Sequence, residues 1–404
     1  MAELLSKKSF YKDPLKEGQP VSDELTKDCY AVFSCRHKFC REVCPVYREE
    51  RNESFGSYGL HTTLLSVSKG IEELANIKDT FSHCLECGAC ELRCPTTIFA
   101  GDFYKYTTTT VDLVRKIRRD LVAQGIHYEG WNEVKKYIDE HQDYYDGPET
   151  ELTKWATDLE LPKAGQQVMF VDYYNAFQGT EVPRLAAKIL QKAGVPVAIL
   201  EKPSVTTGEL LESDIDLWLK HAKQNLEALE KAGAKTVILL NPHEYSYFVK
   251  EYPKHFGSLP FEAVFITDYL WQLVKEGKIQ LEKDLDIKVS YHDPCALNKL
   301  CGLYESPRKL INSLPGVKYT DEDPVTQWNY CCGNGTASFK KVHPDIAYKI
   351  GQRRLRGVAD LDAQVLVLAC PHCKDQFTEV QTKSGINVEP KHILELIADA
   401  MGIN

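Results

Sequence analysis

The sequence predicts an α+β chain: a helical, cysteine-rich N-terminal domain followed by an α/β domain that is written twice. Three observations carry this expectation. The 14 cysteines are clustered, at 29, 35, 40 and 44, at 84, 87, 90 and 94, and at 295, 301, 331, 332, 370 and 373, with none between 94 and 295. From residue 166 onward, short apolar runs alternate with amphipathic stretches, the texture of a parallel sheet covered by helices on both faces. Finally, "ILLNPHEYSYFV" at 238–249 and "LVLACPHCKDQF" at 366–377 read as one passage in which Asn241 and Glu244 stand where the later copy has Cys370 and Cys373. A repeat of that kind in 404 residues predicts two α/β halves related by pseudo-twofold symmetry. The expected boundaries are 1–100 for the cysteine-rich domain, 101–165 for a connector, 166–287 for the first half and 288–404 for the second.

Composition narrows the classes. The chain is 43% apolar and 26% charged, ordinary for a globular protein, and no stretch reaches the roughly 18 to 20 apolar residues of a membrane span. The polar start "MAELLSKKSFYKDPLKEGQP" predicts a cytoplasmic location, and the net charge of -9 argues against a nucleic-acid partner. Clustered thiols in a long chain without a secretory leader favour metal binding over a disulfide framework.

In the first domain, "CLECGACELRCP" places Cys84, Cys87, Cys90 and Cys94-Pro95 in the spacing of a bacterial ferredoxin. Three close thiolates wrap a 4Fe-4S cube, small Gly88 and Ala89 let the loop curl, and the fourth cysteine crosses to a second cube. A zinc knuckle takes separated pairs and has no use for such a run. The partner run, "CYAVFSCRHKFCREVCP", keeps Cys40 and Cys44-Pro45 but holds Ser34 and His37 where the regular pattern has cysteines. Cys29, Cys35, Cys40 and Cys94 are therefore assigned to one cube, and Cys84, Cys87, Cys90 and Cys44 to the other, with His37 as an alternative ligand. The charged, periodic stretch at 101–165 reads as helical, with a break at Gly147-Pro148.

In the first half, "QVMFVDYY", "VPVAIL" and "KTVILL" are strands and "EVPRLAAKILQKAG" a helix with Val182, Leu185, Ala186, Ile189, Leu190 and Ala193 on one face and Gly194 as its C-terminal cap. "KQNLEALEKAG" is the next helix. The second half repeats the order with "KVSYHDPC", "SPRKLINSLPG", "DIAYKIGQRRLRGVADL" and "AQVLVLACPHC". Its Cys295, Cys331, Cys332, Cys370 and Cys373 fall beyond the carboxyl ends of strands, where such sheets gather ligands.

The Cys331-Cys332-Gly333 signature, with "YHDPC" before it and "CPHC" after it, resembles the cysteine-rich domain of heterodisulfide reductase catalytic subunits and of iron-sulfur subunits of glycolate, glycerol-3-phosphate and lactate oxidoreductases. Several of these fuse that domain behind a two-cluster ferredoxin module. The resemblance runs from about residue 25 to nearly the end of the chain. It implies two cubane clusters in the first domain and one noncubane 4Fe-4S cluster on Cys295, Cys331, Cys332, Cys370 and Cys373. The first half departs from the pattern at Tyr174, at "ILEKPS" and at Asn241 and Glu244, so no such cluster is expected there.

The leading expectation is an iron-sulfur electron-transfer subunit of an anaerobic oxidoreductase complex, served by a flavoprotein or other redox subunit and held to a membrane, if at all, by a partner. The competing readings are a thiol or disulfide reductase acting at the single C-terminal site with Cys301 as its reactive thiol, and a docking module with structural zinc in the C-terminal half. Cys301 is otherwise a small buried hydrophobe. His292, Asp293 and His372 are candidate proton or hydrogen-bond donors or loop anchors, and the persistence of His243 beside Asn241 argues for anchoring.

Overall fold

A computed structural model of the chain describes residues 21–35, 37–94, 109–126, 136, 149–322, 329–335 and 338–403. The expected break at 147–148 lies outside them. The chain forms two compact units, one of Met1–Lys136, Gly208–Ile215 and Gly333–Ile350, the other of Tyr137–Thr207, Asp216–Cys332 and Gly351–Asn404.

The first unit is helical. Helix α1 (Asp23–Phe33) starts where the Ser22 hydroxyl accepts the Leu25 N–H at 3.3 Å, which satisfies one orphan donor of the first turn. Short helices α2 (Cys40–Val43) and α3 (Pro45–Glu50) follow, then α4 (Ser57–Ser68), α5 (Lys78–Ser82), α6 (Ala89–Arg93) and α7 (Thr110–Ala123). Leu25, Leu60, Leu64, Phe81, Leu113, Val114 and Ile117 form the core on which α1, α4, α5 and α7 close.

The second unit holds two four-stranded parallel sheets. The first joins β1 (Gln167–Phe170), β2 (Ala198–Ile199), β3 (Thr236–Leu239) and β4 (Glu262–Phe265) in the order β2-β1-β3-β4. The second joins β5 (Ile287–His292), β6 (Val317–Tyr319), β7 (Val365–Leu368) and β8 (Glu389–His392) in the order β6-β5-β7-β8. All six pairings are parallel, and the central strands are buried apolar runs, as a sheet covered on both faces requires. Helices α8 (Glu181–Lys192), α9 (Ile215–Lys231), α10 (Pro242–Ser246), α11 (Ile266–Lys275), α12 (Glu305–Ser313), α13 (Pro344–Ala359), α14 (Pro371–Ser384) and α15 (Ile393–Met401) connect or follow the strands.

The expected face of α8 is rotated slightly. Val182, Ala186, Ile189 and Leu190 are buried with Pro183 and Ala187, whereas Leu185 and Ala193 are only half-buried. Gly194 takes the left-handed conformation, φ 69°, of a helix-ending residue. The central strands β1, β3, β5 and β7 each deliver a functional turn at the carboxyl end, at Asp172–Tyr174, Asn241, His292–Cys295 and Cys370 respectively. Asn241 and Cys370 hold the same position, each the N-cap of a helix whose first residue is proline.

His392, fully buried, caps α15 by accepting the Leu394 N–H at 3.4 Å, and burial lowers it to about 3. A base depressed in the fold and ordinary when unfolded contributes stability above its unfolded pKa and loses it as pH falls towards its folded one. Thermal stability is therefore expected to fall between about pH 6.5 and pH 3, and His392→Asn, which keeps a capping oxygen without the titration, is expected to flatten that dependence in melting curves.

Candidate metal centres

In the first unit, Cys44, Cys84, Cys87 and Cys90 line one recess together with Phe55, Leu60, Gly88 and Thr110, enclosing about 390 Å³ of space that includes its opening to solvent. The sequence assigned these four sulfurs to one cube, and the structure brings them together. Helices α2 and α6 pack side by side, which carries the end of each cysteine run towards the other. Backbone N–H groups face the sulfurs: Tyr47 donates to Cys44 Sγ at 3.5 Å and Glu86 to Cys84 Sγ at 3.4 Å. Soft, deprotonatable sulfur with amide donors behind it suits an iron-sulfur cluster. Gly88, φ 70°, and Glu86, φ 52°, supply the left-handed turns between the cysteines.

A buried arginine holds this loop. Arg118 of α7, 2% exposed, donates to the carbonyls of Phe81 at 2.8 Å and Cys84 at 2.7 Å, and pairs with Glu86 at 3.2 Å and Glu212 at 2.6 Å. Arg115 completes the set on Glu86 at 2.6 Å. Nothing in the cysteine spacing pointed to this clamp. Its sequence signal is the pair of arginines three apart on the amphipathic helix α7.

The other assigned set is brought together only in part. Burial lifts the Cys40 thiol to about 11, and Cys94, Cys44 and Cys35 each act on it electrostatically. Cys29 instead lies in the apolar core with Leu25 and Leu60, fully buried, where burial and the neighbouring Asp28 push it up to about 12. His37 is exposed.

The C-terminal cysteines form a continuous string in the second unit. Cys332 Sγ meets Cys373 Sγ at 3.3 Å; hydrogen bonding to Cys295 and then Cys332 pushes the Cys331 thiol well up, and hydrogen bonding to Cys332 and then Cys370 does the same to Cys373. Cys331, Cys332, Cys370 and Cys373 are buried. Hydrogen bonds from Cys331 and then Cys373 hold the Cys332 thiol well below the usual range. Burial raises Cys370, but the bonds from Cys373 and His243 outweigh it and bring it to about 6. Lys299, one turn after Cys295, places Nζ 3.6 Å from its Sγ and 2.7 Å from Asn329 Oδ1. A ring nitrogen of His292 lies within 4.8 Å of the Cys332 and Cys373 sulfurs. The buried Arg354 Nε donates to the Nδ1 of that ring at 3.3 Å. Five soft sulfurs ringed by N–H donors suit a cluster richer in thiolate than tetrahedral zinc.

Two other candidates resolve differently. Asp293 is locked in a fork with Arg308, both contacts at 2.7 Å, and anchors its loop. Burial pushes Cys301 up to about 12, the reverse of what an attacking thiolate needs.

The model of the 4Fe-4S dicluster domain matches residues 26–98, and that of the CCG cysteine-rich domain matches 289–378. The chain is a heterodisulfide reductase-like iron-sulfur protein. It is 28% identical to one of the subunits of the dihydromethanophenazine:CoB–CoM heterodisulfide reductase of Methanosarcina mazei, over 86% of this chain and 84% of that one. It is 24% identical to one of the subunits of the CoM/CoB fumarate reductase of Methanothermobacter marburgensis, over 94% and 74%. A crystal structure of a hypothetical protein from Helicobacter pylori shares the fold, with a TM-score of 0.54 at 12% identity, over 95% of this chain and 74% of that one. Among the described residues, no helix is long and apolar enough to cross a membrane.

Arg118→Leu leaves Glu212 buried without its arginine and Glu86 with Arg115 alone, so a loss of roughly 3–5 kcal/mol of stability is expected by denaturant titration, along with loss of iron from the Cys84–Cys90 loop. Cys29→Ala is expected to retain the iron of the N-terminal domain, because its sulfur is committed to the apolar core; elemental analysis after anaerobic reconstitution reads this directly.

Proposed function

We propose that this chain is an iron-sulfur electron-transfer subunit of a heterodisulfide reductase-like oxidoreductase complex. The observation that carries the reading is the string of five cysteines in the second unit, four of them buried, in a chain whose first unit gathers Cys44, Cys84, Cys87 and Cys90 around one recess. Cys44, Cys84, Cys87 and Cys90 hold one cubane 4Fe-4S cluster. Cys35, Cys40 and Cys94 serve the other, with His37 as its fourth ligand. Cys295, Cys331, Cys332, Cys370 and Cys373 hold a noncubane 4Fe-4S cluster. When bound, these groups supply one-electron carriers.

The protein's own groups set the conditions. Arg118 fixes the first-unit loop, so the sulfurs keep their places in either charge state. Lys299 directs its ammonium at the Cys295 sulfur, which offsets its charge and favours the reduced site. The two α/β halves are read as a duplication in which the first has lost its thiolates, a reading supported by the matching strand order of the two sheets. With one thiolate site in place of two, electron relay fits better than symmetric cleavage of a disulfide. Hydride chemistry then falls to a flavoprotein or other redox subunit, and any membrane attachment to a partner.

Iron, sulfide and zinc analysis with EPR of the anaerobically prepared chain tests this. The wild type is expected to carry three clusters, and Cys332→Ala to lose the C-terminal signal while keeping the other two. Zinc in an EPR-silent C-terminal half would exclude the cluster, and full turnover of a thiol substrate by the isolated chain would replace relay with catalysis.

A further inference from the structure

The large apolar side chains that stand exposed among the described residues are gathered at one place in the first unit. Tyr30 is 45% exposed, Phe33 53% and Ile71 78%. Tyr30 and Phe33 lie one turn apart on α1, and α1 packs along α4, beyond whose end the chain turns at Gly70, φ 68°, to present Ile71. Lys69, in that same turn, sets its ammonium 4.8 Å from the centre of the Tyr30 ring, which joins the two segments into one surface. Apolar side chains exposed singly are ordinary, whereas a gathered set with charge at its edge marks an interaction site.

The charge at that edge is lopsided. Lys27 and Lys69 are exposed, and Lys38, half-buried, lies 4.3 Å above the Tyr58 ring. None of the three has a carboxylate partner among the described residues. The nearby carboxylates are occupied: Asp28 is buried, Glu42 pairs with Arg93 at 3.7 Å, Glu53 pairs with Arg41, and Glu72 accepts from Asn76 at 2.7 Å. Among the described residues of α1 and the turn after α4, the exposed carboxylates are Glu73 and, at the opposite end of α1, Asp23. The patch runs up to Cys35, whose N–H bonds the Val32 carbonyl at 2.9 Å, so this cysteine closes the same helix end that carries Phe33.

We propose that this surface docks an acidic redox protein, one whose own redox group lies at an apolar spot rimmed by carboxylates, and that electrons enter the chain here. The inference rests on the function proposed above, in which Cys35 serves a cluster. The apolar centre makes the close contact, and the three lysines steer the approach and fix its orientation. One electron leaves the reduced partner and enters the first unit at the Cys35 end; the partner is oxidised, and no bond or proton changes hands. A lipid surface would also satisfy lysines and aromatic rings, but it brings no electron to Cys35.

The test is stopped-flow reduction of the full, anaerobically reconstituted chain by an acidic plant-type 2Fe-2S ferredoxin, itself reduced photochemically. The second-order rate constant is expected to fall about tenfold between low salt and about 0.5 M salt. Lys27→Glu combined with Lys69→Glu should lose about tenfold at low salt and little at high salt, and Ile71→Ser should be slower at both. Reduced methyl viologen, a small donor that needs no docking surface, should reduce these variants no more slowly than the wild type. Salt-independent rates that are equal in wild type and variants, or an equal slowing with methyl viologen, overturn the proposal. So does binding to phosphatidylcholine–phosphatidylglycerol vesicles that the double variant loses while ferredoxin still reduces it at the wild-type rate, because the surface then serves a membrane. A wild type without N-terminal iron-sulfur EPR signals overturns the cluster assignment and this inference together, whereas normal signals with unaffected variants overturn the inference alone.

Discussion

Burying sulfur that must carry negative charge is the constraint on which the rest of this molecule depends. A thiolate in an apolar interior is costly unless donors surround it. At Cys370 and Cys332 hydrogen bonds to neighbouring side chains hold the thiols down, whereas at Cys29, Cys84 and Cys301 burial prevails and lifts them to about 12. At a position such as Cys84, a bound metal that displaces the proton is what lets the sulfur carry its charge. Cys301 is the small apolar occupant that a free cysteine commonly becomes.

The donors come from unlike sources, and that governs how legible the site was in the sequence. Spacing alone identified the cysteines of the 84–94 run, because a loop of four to seven residues has few ways to arrange three sulfurs. It also identified the strand-to-pivot turns, since apolar runs ending in Pro-His are local patterns. The edge strands β6 and β8 were not legible: "VKY" and "EPKH" alternate poorly and owe their conformation to the neighbours they pair with. Nor were Arg118 and Lys299. Each is an ordinary basic residue on a helix or turn until the tertiary fold brings it to a carbonyl or a sulfur far away in sequence or one turn back.

The assignment of Cys29 illustrates a different limit. Counting ligands required a fourth sulfur, and Cys29 was the one at hand, but a residue on the inner face of an amphipathic helix answers first to packing. Val21, Leu25, Cys29 and Val32 recur at the spacing of a buried stripe, a pattern visible beside the cysteine count and in competition with it.

The shared helix-start position of Asn241 and Cys370 bears on how the two turns respond to charge. Asn241 seals the first turn of its own helix by accepting the His243 N–H at 3.0 Å, and it is itself held by Asp172. The cysteine-free turn is therefore complete in itself and keeps its geometry whatever charge the sulfurs carry. A change of charge at the C-terminal cysteines is then felt against a fixed neighbour and not spread into a yielding one.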